Sequence, residues 1–216
     1  QKIKRLFGLM LTLRQKNIVE LLPKCDILAD VGCDHGKIGY TALVSGIAKK
    51  VYFIDISRDS LLKAEKLCES KDIKAEFICQ NGLGKIQADC AVIAGMGGQE
   101  IIEIIKNAEY LPTILILQPM KNADVLREFI QKQYKIEKDY LFFDKKYYFL
   151  MKLSLGKDSL SEMEIKYGKT NIECPTADFQ KYLRKELALC EKILSVCADE
   201  KAEIKRKEIL SLLIKE

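Results

Sequence analysis

The feature that most constrains this chain is a repeated unit: a short run of β-branched and apolar residues, a turn, then a stretch with helical periodicity. The first copy is Ile27-Leu28-Ala29-Asp30-Val31-Gly32, a polar turn holding Gly36, and a helical stretch from about Lys37 to Ala48. Val51 to Ile56 predicts a second strand, followed by a helix over 57–69 with Ser57 as its N-cap. Ala75 to Cys79, Cys90 to Ala94 and Ile114 to Leu117 predict three more strands, with helices over 98–108 and about 123–133. Such alternation demands a parallel sheet covered by helices on both faces. Tyr134 to Phe143 and Tyr147 to Leu155 then read as consecutive strands joined by Asp144-Lys145-Lys146, a hairpin that closes the sheet.

The two ends differ from this pattern. Ile3, Leu6, Phe7, Met10, Leu13, Ile18, Leu21 and Leu22 mostly follow helical spacing up to Pro23, predicting one amphipathic helix over the whole N-terminal segment. Beyond Gly156 the chain becomes highly charged, and Leu183, Leu187, Cys190, Leu194 and Cys197 step by four and three, as in a short coiled coil. A second helix from about Glu200 to Ile214 would fold back on the first. With 216 residues, the chain suits one principal core in residues 1–155 and a small helical domain in 156–216.

Charge and cysteine content narrow the chemistry. The net charge of +5 falls entirely on residues 1–24, through Lys2, Lys4, Arg5, Arg14, Lys16 and Lys24 against Glu20. A basic helix there could touch phosphates, or it could be a solvated surface. The eight cysteines form no CxxC pair and there is a single histidine, so no zinc framework is expected, and reduced thiols point to the cytoplasm. No apolar run approaches the length of a membrane span.

Candidate site residues cluster where the strands end. Asp30-Val31-Gly32-Cys33-Asp34-His35-Gly36 joins the first strand to its helix; Gly32 allows close backbone approach, and the helix behind Gly36 aims free N–H groups at an anion. Asp34 stands where nucleotide-binding turns often have a second glycine. A carboxylate there suits an ammonium group and repels a pyrophosphate, favouring S-adenosyl-L-methionine over a dinucleotide. His35 is read as positioning ligand, not as an acid or base. Asp55, followed by Ile56, ends the second strand where a carboxylate can accept both ribose hydroxyls. Asn81-Gly82 follows the third strand; the Asn81 amide both donates and accepts, as an adenine edge requires. Gly95-Met96-Gly97-Gly98 follows the fourth strand and Gln118-Pro119-Met120 the fifth. Each motif alone could be an ordinary turn; their common location is the signal, because open α/β sheets bind ligands at strand C-termini.

The combination of Ala-Asp-Val-Gly-Cys-Asp-His-Gly, Asn81-Gly82-Leu83, Ile93-Ala94-Gly95-Met96-Gly97-Gly98 and Leu117-Gln118-Pro119 resembles the bacterial tRNA (adenine-N1)-methyltransferases that act on adenosine 22. The likeness covers nearly the whole chain, including the helical C-terminus. It implies a Rossmann-like methyltransferase sheet with a terminal antiparallel hairpin, S-adenosyl-L-methionine as cofactor and tRNA as partner. It places Gly32 and Asp34 at the methionine end, Asp55 at the ribose and Asn81 at the adenine, with Cys33, His35, Gly36, Ile56 and Gly82 also in the cofactor site. Gly95, Met96, Gly97, Gly98, Gln118, Pro119 and Met120 would shape the target pocket, with Gly95 also beside the cofactor and Asp34 available to assist transfer. The family usually has asparagine where this chain has Met120. The expected molecule is a monomer needing neither metal nor membrane. A methyltransferase acting on protein or a small molecule, or a non-catalytic cofactor- or RNA-binding module, would fit the same residues.

Overall fold

A computed structural model describes residues 10–69 and 75–214. The basic residues Lys2, Lys4 and Arg5, and the apolar positions Ile3, Leu6 and Phe7, lie outside the described residues. The first helix, α1 (Leu13–Leu21), does not continue back through Met10. It starts at Thr12, whose hydroxyl accepts from Gln15 N–H while the Gln15 carboxamide accepts from Thr12 N–H. This reciprocal cap satisfies N-terminal donors that a longer helix would have bonded internally.

The alternating units follow in order: β1 (Cys25–Val31), α2 (Lys37–Val44), β2 (Ala48–Asp55), α3 (Arg58–Cys68), β3 (Ala75–Cys79), β4 (Cys90–Met96), α4 (Gly98–Lys106), β5 (Ile114–Pro119) and α5 (Ala123–Ile130). The hairpin is β6 (Tyr134–Asp144) and β7 (Lys146–Leu155), with Lys145 at φ 64° turning the chain between them. Helix α2 stops four residues earlier than the periodicity suggests, because Gly46 takes a left-handed conformation and β2 begins at Ala48. Ser57 caps α3 as expected, accepting from Ser60 N–H.

The seven strands order as β3-β2-β1-β4-β5-β7-β6. The first five are parallel, and β7 runs antiparallel to both β5 and β6. Period-two alternation splits each central strand between two cores. Ala29, Val31, Ala91, Ile93, Leu115 and Leu117 face one core with Ile101, Ile105, Leu126 and Ile130 of α4 and α5. Leu28, Cys90, Val92 and Ile116 face the other, with Ile18, Tyr40, Leu61 and Ala64 of α1, α2 and α3. Each such leucine or isoleucine taken from water stabilises the fold by about 1.5–3 kcal/mol before entropy is counted.

After β7 come two short helices that periodicity did not reveal, α6 (Glu162–Tyr167) and α7 (Lys169–Glu173), then α8 (Ala177–Leu194) and α9 (Glu200–Leu212). The last two form an antiparallel pair. Gln180 near the start of α8 donates to Leu212 O and accepts from Ile214 N–H, and Lys205 pairs with Glu186 at 2.6 Å. In the seam, Leu183 and Cys190 are buried, but Cys197 is exposed beyond the end of α8. A third core joins Phe179, Leu183 and Ile209 to Leu141 and Tyr167, so this helical unit leans on the outer face of β6.

Candidate active site

Parallel strands end at one rim of the sheet, and order reversal between β1 and β4 opens a crevice there. A cleft of about 760 Å³ fills it, bounded by the loops after β1, β2, β3 and β4 and by one face of α4. A small side chamber beneath the β1 loop, about 50 Å³, continues it towards the start of α2.

The β1 loop is held from below. Gly32 and Cys33 donate to Ile54 O, and Gly36 N–H donates to Cys33 O at 2.7 Å. Gly32 sits at φ 68°, a left-handed conformation that favours glycine, and a Cβ on it would displace the Met96 methyl. Gly36, at φ 66°, is the N-cap of α2 and lies against Ala64 of α3. It offers no side-chain cap; the buried Asp30 does so from the strand, accepting from Gly39 N–H at 2.9 Å. Burial pushes the Asp30 carboxyl up to about 7, the Gly39 N–H opposes this, and the nearby Asp55 charge adds to it.

Cys33 turns into the core, where burial and the charges of Asp30 and Asp55 push its thiol up, so it meets the site through backbone alone. Asp34 is the reverse. Its side chain is 68% exposed with His35 Nε2 3.7 Å away, and its backbone takes φ 50°. Its N–H donates to Asp55 Oδ2 at 3.0 Å, while Ser57 N–H donates to Asp55 Oδ1 at 2.9 Å. Asp55 thus locks the β1 loop to the end of β2. Each of its oxygens retains an acceptor site for a ligand hydroxyl. Ile56 beside it is 74% exposed, an apolar wall with no protein partner to cover it. Across the cleft, Asn81 is exposed and Gly82 at φ 78° packs on Ile104, while Gln80 folds the loop by donating to Gly82 O and Leu83 O.

The β4 and β5 ends divide into surface and support. A bulge between Ala94 and Met96 puts Gly95, at φ 86°, on the exposed edge of the cleft. Gly97 and Gly98, expected in the target pocket, are buried beneath the following loop instead. A Cβ on Gly98 would strike Asn122 O, and Gly98 N–H donates to Lys121 O at 2.9 Å. Gln118 is fully inside and Pro119 is buried beside it. The Gln118 oxygen accepts from Arg14 Nη1 at 2.7 Å and its nitrogen donates to Pro119 O at 3.0 Å. Its amide therefore faces protein and not the cleft. Met120 is 41% exposed at the rim, with its sulfur 3.5 Å from Gln118 Nε2.

Residue-by-residue inspection of the sequence missed Arg14, Glu100, Glu103 and Ile104, all of which line the cleft. The helical period of 98–108 holds the signal for the last three: positions 100, 103, 104 and 107 share one face. The resulting electrostatics are uneven. Asp34, Asp55, Glu100 and Glu103 line the cleft against Arg14 as the cation among its described residues. Such a cleft suits a ligand bearing positive charge and repels a pyrophosphate.

A second cleft, about 480 Å³, lies between the start of α5, β7 and helices α6, α8 and α9. Two of its lysines face carboxylates, Lys166 with Glu208 and Lys205 with Glu186. Among the described residues, no helix is long and apolar enough to cross a membrane, and no group of three or more His, Cys, Asp or Glu could hold a metal ion.

Residues 11–151 match the model of a methyltransferase domain. The tRNA (adenine(22)-N(1))-methyltransferase of Bacillus subtilis is 29% identical over 133 residues, covering 58% of this chain and 56% of that protein. The chain spans about half the length of the curated relatives it matches. Structural likeness extends further. The M. capricolum protein TrmK, in a structure described as a complex with S-adenosyl-homocysteine, superposes with a TM-score of 0.83 at 25% identity, over 94% of this chain and 97% of that one. The B. subtilis m1A22 tRNA methyltransferase TrmK superposes with a TM-score of 0.77 at 24% identity, over 94% and 96% of the respective chains.

Proposed function

Because the chain belongs to the methyltransferase-domain family, we propose that it transfers a methyl group from S-adenosyl-L-methionine to N1 of an adenine in tRNA, the adenosine at position 22. The observation that carries the cofactor half is the carboxylate-lined cleft at the sheet's switch point. A sulfonium and an ammonium are attracted there, whereas a dinucleotide's pyrophosphate is not. The tRNA half is supported by the two B. subtilis matches, whose names specify that base and atom.

The residues present fit the cofactor along its length. Asp34 would accept from the ammonium, Asp55 from the ribose hydroxyls, and Asn81 would meet the adenine edge opposite the exposed Ile56, all four lining the one cleft. Gly32, Gly36 and the cap on α2 shape the methionine end, with His35 at its mouth. Gly95 and Met96 form the wall on the acceptor side. The buried Gly97, Gln118 and Pro119 hold that wall in place without touching substrate, and Met120 stands at its edge. Residues 156–216 form the second domain, and the molecule works as a cytoplasmic monomer without metal.

When bound, the cofactor supplies a methyl carbon activated by a sulfonium. Adenine N1 carries an in-plane lone pair, so no base is required before attack, and the chain's contribution is to align acceptor and methyl. Since N1 lies on the pairing edge, the target base must be unpaired or turned out. Asp34 would assist by offsetting positive charge on the methylated ring.

The test is transfer of labelled methyl from S-adenosylmethionine to unmodified bulk tRNA, with nucleoside analysis. Wild type is expected to yield N1-methyladenosine. Asp55→Ala should lower the rate at least about tenfold, as expected for removing a charged acceptor, with a melting curve to check the fold. Labelled protein or small molecules with unlabelled tRNA would move the activity to another acceptor. Absence of any transfer would reduce the chain to a binding module.

A further inference from the structure

Among the described residues Arg14 is the cation lining a cleft that otherwise collects carboxylates, and both its backbone and its side chain are held. The backbone of α1 is fixed there twice, by the Thr12–Gln15 cap and by Arg14 N–H donating to Asp144 Oδ2 at 3.0 Å. Its side chain is fixed as well. Nη1 donates to the Gln118 oxygen at 2.7 Å, and the guanidinium carbon lies 6.0 Å from the Tyr148 ring centre. Because Gln118 is fully buried and its nitrogen is committed to Pro119 O, its amide oxygen must point at Arg14. The guanidinium also reaches the exposed Gly95, where a Cβ would lie 3.4 Å from Nη1, and it borders both the main cleft and the side chamber.

The partner is what distinguishes this arrangement. Gln118 is neutral, so the full positive charge remains beside the place where the proposed cofactor brings a sulfonium. No carboxylate pairs with the Arg14 guanidinium among the described ion pairs. The planar fork of five N–H donors, one used by Gln118, is shaped for an anionic oxygen pair.

We propose that Arg14 is an oxyanion-binding residue of this site, taking either the carboxylate of the cofactor's methionine or a phosphate of the incoming nucleotide, and that Gln118 is its positioning residue. The inference rests on the methyltransferase reading above. It assigns the basic character of the N-terminal segment, at this one residue, to the reaction site and not to a general surface.

The full chain with Arg14→Ala is titrated with S-adenosylhomocysteine and with methylthioadenosine, which keeps the adenosine and lacks the amino-acid carboxylate; KM and kcat for tRNA are measured alongside. A carboxylate partner predicts at least about tenfold weaker S-adenosylhomocysteine binding with methylthioadenosine unchanged, from the loss of a charge-assisted bond. A phosphate partner predicts both ligands unchanged, with KM for tRNA raised about tenfold and its logarithmic salt slope reduced by about one. Gln118→Leu should follow Arg14→Ala in direction with a smaller change. Equal weakening of both ligands, or wild-type behaviour in every measurement, overturns the assignment. If the wild type binds neither ligand, the cofactor reading falls and takes this inference with it.

Discussion

Two arginines, Arg14 and Arg127, show how the same side chain serves opposite ends. Arg127 on α5 is wholly buried and wholly used: Nε and Nη2 grip Asp139 at 2.6 and 3.0 Å, Nη1 donates to Ile165 O at 3.0 Å, and the guanidinium lies 4.5 Å from the Phe149 ring centre. Around that pair the chain closes further, with Thr170 accepting from Asp139 N–H and Asn171 from Leu141 N–H. Gly168 at φ 92° allows the backbone to pass between them. Arg14 is half-buried and bonded to a neutral amide. A guanidinium whose three nitrogens all bond protein fixes architecture, while one left charged and open is available to a ligand.

The largest expected effect follows from the closed site. Arg127→Ala leaves Asp139 buried without its partner and frees two carbonyls of α6, and should cost about 3–5 kcal/mol in urea unfolding. Replacing both members, Arg127→Met with Asp139→Leu, should recover much of that loss, because the burden is the unpaired charge and not the missing attraction. If Arg127→Ala unfolds at the wild-type denaturant concentration, the clamp is not what holds α6 and α7 to the sheet.

That clamp also explains what the sequence did and did not disclose. The sheet was legible because β1, β4 and β5 are apolar runs bounded by glycine turns, and a parallel order follows from the helices between them. The ligand rim was legible because strand ends can be located once strands are. Helices α6 and α7 were not, since six and five residues are too short to display a period, and their stability comes from Arg127, Asp139 and the β6 edge, far away in sequence. Arg127 itself reads as a solvated helix position. The mistaken length of the first helix has a local cause: the apolar spacing runs on through Met10, but the Thr12–Gln15 cap stops it. Burial of Gln118 and Gly97 was invisible because a motif gives proximity to a rim and not the side of the wall on which a residue lies.

Asp30 sharpens the comparison from the acidic side. Like Asp139 it is buried, but Gly39 N–H is its bonded partner where Asp139 has a guanidinium. Burial raises its carboxyl from 3.8 to about 7, so the folded state keeps a proton that the unfolded chain has released. Stability is therefore lost as pH rises from about 4 to 7, and the penalty is absent below that window and constant above it. Asp30→Asn retains an acceptor for Gly39 and removes the charge. Its unfolding free energy should exceed wild type by up to about 4 kcal/mol at pH 8, and the gain should shrink by more than half at pH 5. An equal gain at both pH values would mean that the carboxyl titrates normally when folded.

The smallest effect is expected at Met120, where the resemblance leads one to look for asparagine. The residue is 41% exposed, and its structural tie is backbone, Met120 N–H donating to Met96 O at 2.8 Å. Met120→Asn should leave that bond intact and alter stability by no more than about 0.5 kcal/mol. Its amide oxygen can take the Gln118 nitrogen in place of the sulfur, leaving the Gln118 oxygen on Arg14, so methyl transfer should stay within about threefold of wild type, under ~1 kcal/mol. A tenfold rise in kcat/KM would show that the rim amide, and not Arg14 alone, addresses the acceptor. The open arginine would then be half of a two-residue device whose other half this chain lacks.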